Sequence, residues 1–415
     1  VDMQNDFITG ALGSAEALID YFVYDHLDPA SPRPVVAADP RLAAVVYRGG
    51  RRPAVFALGG VEVARRAVDA HVRLSARSAA SDPASLALAR SAADAARAAV
   101  FAPLSEAVEG ATTLYIAPDS FLATLPFETL PAGARDRVLL EDHVIVYLQS
   151  AADHLGRIEP SAAVSVLLVG DVDFGDPPGP GPGPARREDG AFDASADAAK
   201  SGSAESRRTL FEGVLRPCPG SRGEIDGITE SFLSSGTGRD AFVRLSGAAA
   251  TKEAFLAAAT GRRVIHLATH GIFRGAEPGR SASSRAVGKS ATGAGDAGGR
   301  FGATTRGGWR APTMLDGASP AMRSGVAFAG ANRQALTGKS GVWTASEAAL
   351  ADLSACDLIV VSGCDSGLGE PRIGESVLGL RRAFAIAGAR ASVTALWPVG
   401  DDAAAEVMRA FYAGY

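Results

Sequence analysis

The chain has 415 residues, which is enough for two or three domains of about 150 residues each. Apolar residues make up 47% of the sequence and charged residues 21%, a composition that excludes a wholly disordered chain. The formal net charge of -5 excludes a generally basic nucleic-acid-binding protein, so we expect no direct contact with nucleic acid.

The cysteine content and the N-terminus bear on the compartment in which the protein works. The three cysteines show no Cys-x-x-Cys spacing and are too few for a disulfide framework, which predicts a reducing, cytoplasmic location. The first residues lack the basic and apolar segments of a signal peptide, and no apolar run reaches the roughly 18 residues of a membrane helix. We therefore expect no membrane partner. Because the chain begins with Val1 rather than Met, we also expect a fragment of a longer protein.

The N-terminal part of the sequence predicts a β-meander followed by helices. Strand-like apolar runs occupy residues 17–24, 42–47 and 53–58, and a Gly-Gly turn joins the last two. Residues 61–108 are rich in Ala and Arg, with apolar residues at helical spacing, and a break near residues 81–83 divides them into two helices. We interpret residues 1–108 as an N-terminal lead-in whose helices cover a sheet.

From residue 114 onward, short apolar runs alternate with helical segments, as is typical of a buried parallel sheet. The predicted strands are residues 114–117, 144–148, 164–170, 242–245, 264–268, 358–362 and 391–396. The predicted helices are residues 225–234, 252–259, 345–350, 374–387 and 403–412. This order predicts right-handed crossovers and a three-layer α/β/α sandwich over residues 109–415. Binding sites in such folds form at the carboxyl ends of strands.

Two segments of low complexity interrupt this order. Residues 175–208 begin with a Gly-Pro repeat and continue with charged, Ala- and Ser-rich sequence, and residues 275–318 are similarly rich in Gly. Neither composition buries enough apolar surface to offset the entropy of ordering the chain. We expect both segments to be insertions without regular structure.

A histidine and a cysteine stand at the ends of two predicted strands, where sites form. His270 follows strand 264–268, Cys364 follows strand 358–362, and glycines flank both residues. A neighbouring imidazole converts a thiol into a nucleophilic thiolate and later protonates a leaving amine. Backbone N–H groups at Gly271 and Cys364 are suited to hold a developing oxyanion. The alternative is a buried structural cysteine and a hydrogen-bonded histidine, but packing alone does not explain the glycines.

The same region contains two patterns that superficially suggest metal or nucleotide binding. His266 precedes His270 by four residues, but Leu267 stands where a zinc peptidase helix needs Glu, and the segment is predicted to be a strand. The glycines at residues 367–374 are not followed by the Gly-Lys-Ser/Thr of a phosphate-binding loop. We therefore expect no metal and no cofactor.

Ordered motifs from about residue 110 to residue 415 resemble the CHAT domains, relatives of caspases, separases and metacaspases. They lie at residues 116–130, 219–224, 250–251, 264–271, 324–328, 344–347, 358–370, 379–389 and 396–401. Residues 16–108 resemble the lead-in common to this family. The resemblance implies a caspase-like three-layer fold with a mostly parallel sheet. CHAT domains usually continue with a further helix and strand beyond this point, so we expect the domain to be C-terminally incomplete.

The resemblance also implies an activity and roles for individual residues. It implies a cysteine endopeptidase in which His270 is the general base and acid, Cys364 is the nucleophile, and Gly271 and Cys364 form the oxyanion hole. Asp365 and Ser366 follow the nucleophile and are candidates for the substrate pocket, although a solvated loop and a helix N-cap explain them equally well. The family often has Ser-Ala-Cys where this chain has Ser-Gly-Cys, which we interpret as a conservative change.

The resemblance implies two kinds of partner, namely a protein substrate and a regulator. Many relatives carry upstream helical repeats that gate the peptidase, so we expect a helical-repeat sensor region or a separate regulatory protein to control this chain. Two alternative functions remain open. One is a catalytically idle scaffold within a regulatory assembly, and the other is a thiol-dependent enzyme that hydrolyses small esters or amides.

Overall fold

The structure is a computed structural model, and it shows three β-sheets and the helices that cover them. It describes residues 8–25, 40–76, 82–133, 137–156, 164–175, 215–273, 324–333, 341–363, 375–396 and 399–415. Apart from Gly175, both predicted insertions lie outside these ranges. No helix in the described ranges is long and apolar enough to cross a membrane.

The first sheet combines the predicted meander with two later strands. Its spatial order is β3 (Ala54–Gly60), β2 (Arg41–Arg48), β1 (Glu16–Tyr24), β4 (Thr113–Ala117) and β5 (Val144–Tyr147). Strands β1 to β3 are antiparallel as predicted, whereas β4 and β5 run parallel to β1. The core of this part also contains buried side chains of α1 (Val61–Ala76) and α2 (Pro83–Val100). Asp82 caps α2 by accepting a hydrogen bond from the backbone N–H of Ser85, which confirms the predicted break between the helices.

The grouping of residues 114–117 and 144–148 with the later strands was wrong. Both form β4 and β5 of the first sheet, where Ile19 of β1 pairs with Ile116 of β4. Buried parallel strands show the same short apolar runs in either sheet, so the pattern does not reveal which sheet a strand joins. The first sheet thus extends past residue 108, and the division into domains 1–108 and 109–415 stays a prediction.

The second sheet forms the centre of a three-layer sandwich. Its order is β13 (Ala391–Thr394), β12 (Leu358–Ser362), β8 (Val264–Ala268), β6 (Val166–Val172) and β7 (Phe242–Gly247), with all neighbours parallel. Buried residues of α3 (Gly220–Ser234) and α7 (Asp401–Ala413) pack on one face. Those of α4 (Lys252–Ala259), the short α5 (Ala345–Ala348) and α6 (Glu375–Ile386) pack on the other. This confirms the predicted α/β class and its resemblance to a caspase-like fold.

A third sheet of short strands was not predicted from the sequence. It consists of β11 (Val342–Thr344), β10 (Ser324–Ala327) and β9 (Gly271–Phe273), which pair antiparallel in that order. Strands this short carry too few residues for an alternation pattern. The buried ring of Trp343 packs against Phe255 of α4 and Phe384 of α6, which fixes the third sheet against the second.

The ionisation of Asp20 on β1 makes the stability of the first sheet depend on pH. Burial, aided by the nearby charge of Asp119, raises the pKa of this carboxyl from 3.8 to about 6. A raised carboxyl pKa means that the folded state binds the proton more tightly. The ionised group therefore opposes folding fully above pH 6, and this penalty disappears as the pH falls below the unfolded pKa.

We expect Asp20→Asn to increase the free energy of unfolding at pH 7.5 by about 1 kcal/mol, a figure reduced because the side chain is partly exposed. Urea unfolding followed by circular dichroism would measure this gain. At pH 4 the variant and the wild type should have nearly equal stability. Equal stability at pH 7.5 would show that the carboxyl of Asp20 titrates normally.

Candidate active site

His270 stands at the carboxyl edge of the second sheet, between the end of β8 and the start of β9. Its Nε2 atom lies 2.7 Å from the carbonyl oxygen of Arg216. Because a carbonyl oxygen only accepts hydrogen bonds, Nε2 carries the proton in this contact. In the neutral ring Nδ1 is then the basic nitrogen, so His270 is prepared to accept a proton through Nδ1.

A phenylalanine ring packs beside the imidazole. The ring centroids of Phe174 and His270 are 5.1 Å apart, and Phe174 is buried in the core just beyond β6. A ring held by the core restricts the rotation of its neighbour. The role of Phe174 was not predictable, because nothing in its immediate sequence distinguishes it from other core residues.

A cysteine that was not predicted to belong to the site also contacts His270. The Sγ atom of Cys218 lies 3.3 Å from Nε2 of the imidazole. Cys218 is fixed in turn by Ser221, whose backbone N–H and hydroxyl both donate to the Cys218 carbonyl, at 3.1 and 2.6 Å. The motif at residues 219–224 marked this turn, but 52 residues separate the two side chains in sequence, so the contact itself was not predictable.

Strand β12 brings the residue before Cys364 against the backbone around His270. A Cβ atom on Gly363 would lie 2.1 Å from the carbonyl oxygen of Thr269 and 2.9 Å from the backbone nitrogen of Gly271. Atoms at that separation from backbone overlap, so in this chain alanine at residue 363 would force the backbone to move. Whether glycine is a conservative replacement for alanine in this family stays a prediction, but in this chain alanine would not fit without a movement of the backbone.

The other predicted site residues of this loop, Cys364, Asp365 and Ser366, lie outside the described residues, and their roles stay predictions. The neighbouring residue Gly363 is described. A Cβ atom added to it would overlap with the backbone on both sides of His270, which places the end of β12 next to this histidine.

The backbone N–H of Gly271 points away from the third sheet. Gly271 pairs with Val326 of β10, and in the adjacent pair the N–H of Ala327 donates to the carbonyl of His270 at 2.9 Å. Hydrogen-bonded and non-hydrogen-bonded pairs alternate along an antiparallel ladder, so the Gly271 N–H is directed away from β10. An N–H group on the outer side of a strand is able to donate to a ligand.

A buried hydrogen-bonded pair, His266 of β8 and Glu224 of α3, joins this strand to the helix that covers it. His266 is 0% exposed, and its Nε2 lies 2.8 Å from Oε1 of Glu224, which is 3% exposed. Its Nδ1 lies 3.2 Å from the hydroxyl of Tyr412 on α7. Both ring nitrogens of His266 thus have protein partners, which gives the residue a structural role. A small pocket beside this pair is lined by Cys218, Ser221, Glu224, Ala268, Thr269, Ser362, Gly363 and Ala404.

A parallel sheet with helices on both faces and a histidine at the carboxyl end of a central strand defines a protein with a caspase-like α/β fold. Comparison with models of protein families matches residues 90–415 to the CHAT domain. The chain belongs to the CHAT-domain family, which is related to the caspase-like cysteine peptidases. This confirms the resemblance found in the sequence motifs. A search of curated proteins found no match.

Proposed function

We propose that the protein is a cysteine endopeptidase that cleaves a partner protein, with Cys364 as the nucleophile and His270 as the general base and acid. One observation carries the proposal. Gly363, which precedes Cys364, lies so close to Thr269 and Gly271, on either side of the histidine, that a Cβ atom added to it would overlap with the backbone of both. This close approach supports a thiol and an imidazole that act together at one edge of the sheet.

The reaction uses the two nitrogens of His270 for different tasks. Nδ1 takes the proton of the Cys364 thiol, and the thiolate attacks the carbonyl carbon of the scissile peptide bond. The Nε2–H bond to the Arg216 carbonyl orients the ring and stabilises the imidazolium. The oxyanion accepts hydrogen bonds from the N–H groups of Gly271 and Cys364.

The intermediate collapses when His270 gives its proton to the leaving amine, which breaks the C–N bond and leaves a thioester on Cys364. Water, activated by the same imidazole, then hydrolyses the thioester and releases the acid. We also propose that Asp365 and Ser366 contribute to the substrate pocket. The proposed regulator is an upstream helical-repeat region or a separate protein, and the proposed location is the cytoplasm, where thiols stay reduced.

The first test is the rate of alkylation of each cysteine by iodoacetamide as a function of pH, measured by mass spectrometry. We expect Cys364 to react about tenfold faster than Cys218 at pH 6.5, well below the free-thiol pKa of about 8.5. His270→Ala should remove this reactivity at low pH, because the imidazolium no longer stabilises the thiolate. The rate for Cys364 should be retained in Cys218→Ala.

Cys356 provides an internal control in the same experiment. It is 2% exposed, and burial raises the pKa of its thiol to about 12, so it should stay unmodified until the protein unfolds. A Cys364 rate no faster than that of Cys218, in a protein that protects Cys356, would contradict the proposal. Slow reaction of both thiols would favour the idle scaffold, whereas fast reaction of Cys218 alone would make that thiol the candidate nucleophile.

A further inference from the structure

Asn332 joins two segments of the chain that are far apart in sequence. Its Nδ2 group donates to the carbonyl oxygens of Gly175 at 2.8 Å and Leu215 at 2.9 Å. Its Oδ1 atom accepts a hydrogen bond from the N–H of Leu215 at 2.9 Å, and its own backbone N–H donates to the carbonyl of Phe174 at 3.0 Å. Both N–H groups and the oxygen of the amide side chain therefore have backbone partners in these two segments.

Each of the two segments supplies one contact to the imidazole of His270. Phe174, directly before Gly175, packs its ring against the imidazole, and Arg216, directly after Leu215, accepts the hydrogen bond from Nε2. A hydrogen bond weakens steeply when its length or angle changes. A shift of Leu215 would therefore loosen the contact that keeps the proton on Nε2.

Asn332 is itself firmly held. It lies in a turn where Gly330 donates its N–H to the carbonyl of Asp173 at 3.0 Å. The neighbouring Ala331 packs closely on Gly341. A Cβ atom added to Gly341 would lie 2.6 Å from the Ala331 Cα atom. The amide thus projects from a fixed backbone, as a residue that positions other groups must.

We propose that Asn332 is a positioning residue for His270, which it orients through Leu215 and the carbonyl of Arg216. The consequence of this positioning for peptide cleavage rests on the proposed function. The effect of Asn332 on the tautomer of the His270 imidazole does not. With Asn332 in place, the proton stays on Nε2 and Nδ1 remains the basic nitrogen.

The test is NMR spectroscopy of the full chain with ¹⁵N-labelled histidine rings, in which His270→Ala assigns the signal of His270. We expect the wild type to show an Nε2-protonated ring with an observable Nε2–H proton. In Asn332→Ala this proton signal should broaden or disappear, and the nitrogen shifts should move toward a mixture of tautomers. Asn332→Asp should do the same without leaving a cavity, because its carboxylate cannot donate to the carbonyls of Gly175 and Leu215.

Thr251→Ala is the matched control for a general loss of stability. Thr251 caps α4 by accepting a hydrogen bond from the N–H of Ala254 at 3.1 Å, so its removal weakens the fold without touching the Asn332 contacts. The His270 signal should be unchanged in this variant. Wild-type signals in both Asn332 variants would overturn the inference.

Alkylation of Cys364 separates this inference from the proposed function. If the thiol is activated, Asn332→Ala should lower its rate at pH 6.5 about tenfold, in parallel with His270→Ala. If the wild-type thiol is not activated, the proposed function fails, and the tautomer of His270 in the Asn332 variants still decides the inference.

Discussion

Cleavage of peptides should be lost in Cys364→Ala and in His270→Ala and retained in Cys218→Ala. Removal of the nucleophile or of the base prevents formation of the thioester, and such losses are on the order of 10⁴-fold or more in serine peptidases that use a catalytic triad. Cys218 contacts Nε2, the nitrogen that holds the ring, and has no step of its own in the mechanism. Its removal should therefore change the rate by less than about tenfold. Mass spectrometry of a peptide library incubated with each variant measures the effect.

The comparison of two cysteine-to-alanine changes makes this experiment decisive. Both remove one sulfur atom, and thermal unfolding followed by circular dichroism would establish that each variant is folded. If Cys218→Ala abolishes cleavage while Cys364→Ala retains it, the assignment of the nucleophile is wrong. The thiol that lies 3.3 Å from His270 would then be the nucleophile.

The position of His270 was predictable because it depends on local sequence. The run at residues 264–268 is apolar and bounded by polar residues, which identifies a buried strand, and the residue after such a strand lies where sites form. The same reasoning identified Gly271. Alternate residues of β8, namely Val264, His266 and Ala268, face α3 and α7. The strand ends at Ala268, two residues before His270.

The contacts that orient His270 were not predictable, because they have no signature in the sequence. The group that accepts the Nε2 proton is a backbone carbonyl, which every residue possesses, so the identity of Arg216 gives no indication of its role. Asn332 and Cys218 reach the site through loops whose path depends on the tertiary fold. Long-range contacts of this kind follow from packing, which a single sequence does not specify.

The association of the two large sheets is likewise a property of the folded chain. The guanidinium of Arg381 on α6 lies 5.1 Å from the centre of the Tyr147 ring on β5, and burial lowers the pKa of this arginine. The hydroxyl of Tyr147 donates to Glu128 at 2.6 Å. The first sheet therefore contacts α6, the helix that follows the Cys364 segment in sequence. The sequence pattern of either element alone does not indicate this contact.

Gly363→Ala should reduce the alkylation of Cys364 at pH 6.5, and any peptide cleavage, about 100-fold. The added methyl group would lie 2.1 Å from the carbonyl oxygen of Thr269. The methyl carbon is bonded to Cα and the oxygen is part of the backbone, so no side-chain rotation can relieve the overlap. The ends of β8 and β12 must then move apart by about 1 Å, a displacement that costs on the order of 10²-fold in an active site. We expect a loss of stability of about 1–3 kcal/mol from the same overlap.

Gly223→Ala is the matched control, since it adds the same methyl group to a glycine near the site. Gly223 is exposed on α3 and has no atom within 4 Å of the added Cβ position, so alanine should leave the alkylation rate unchanged. The free energy of unfolding should rise by up to about 1 kcal/mol, because alanine favours the helix. A wild-type rate for Cys364 in Gly363→Ala would show that the close approach of the two strand ends is not needed to activate the thiol. The position of Gly363 would then no longer support the proposed function.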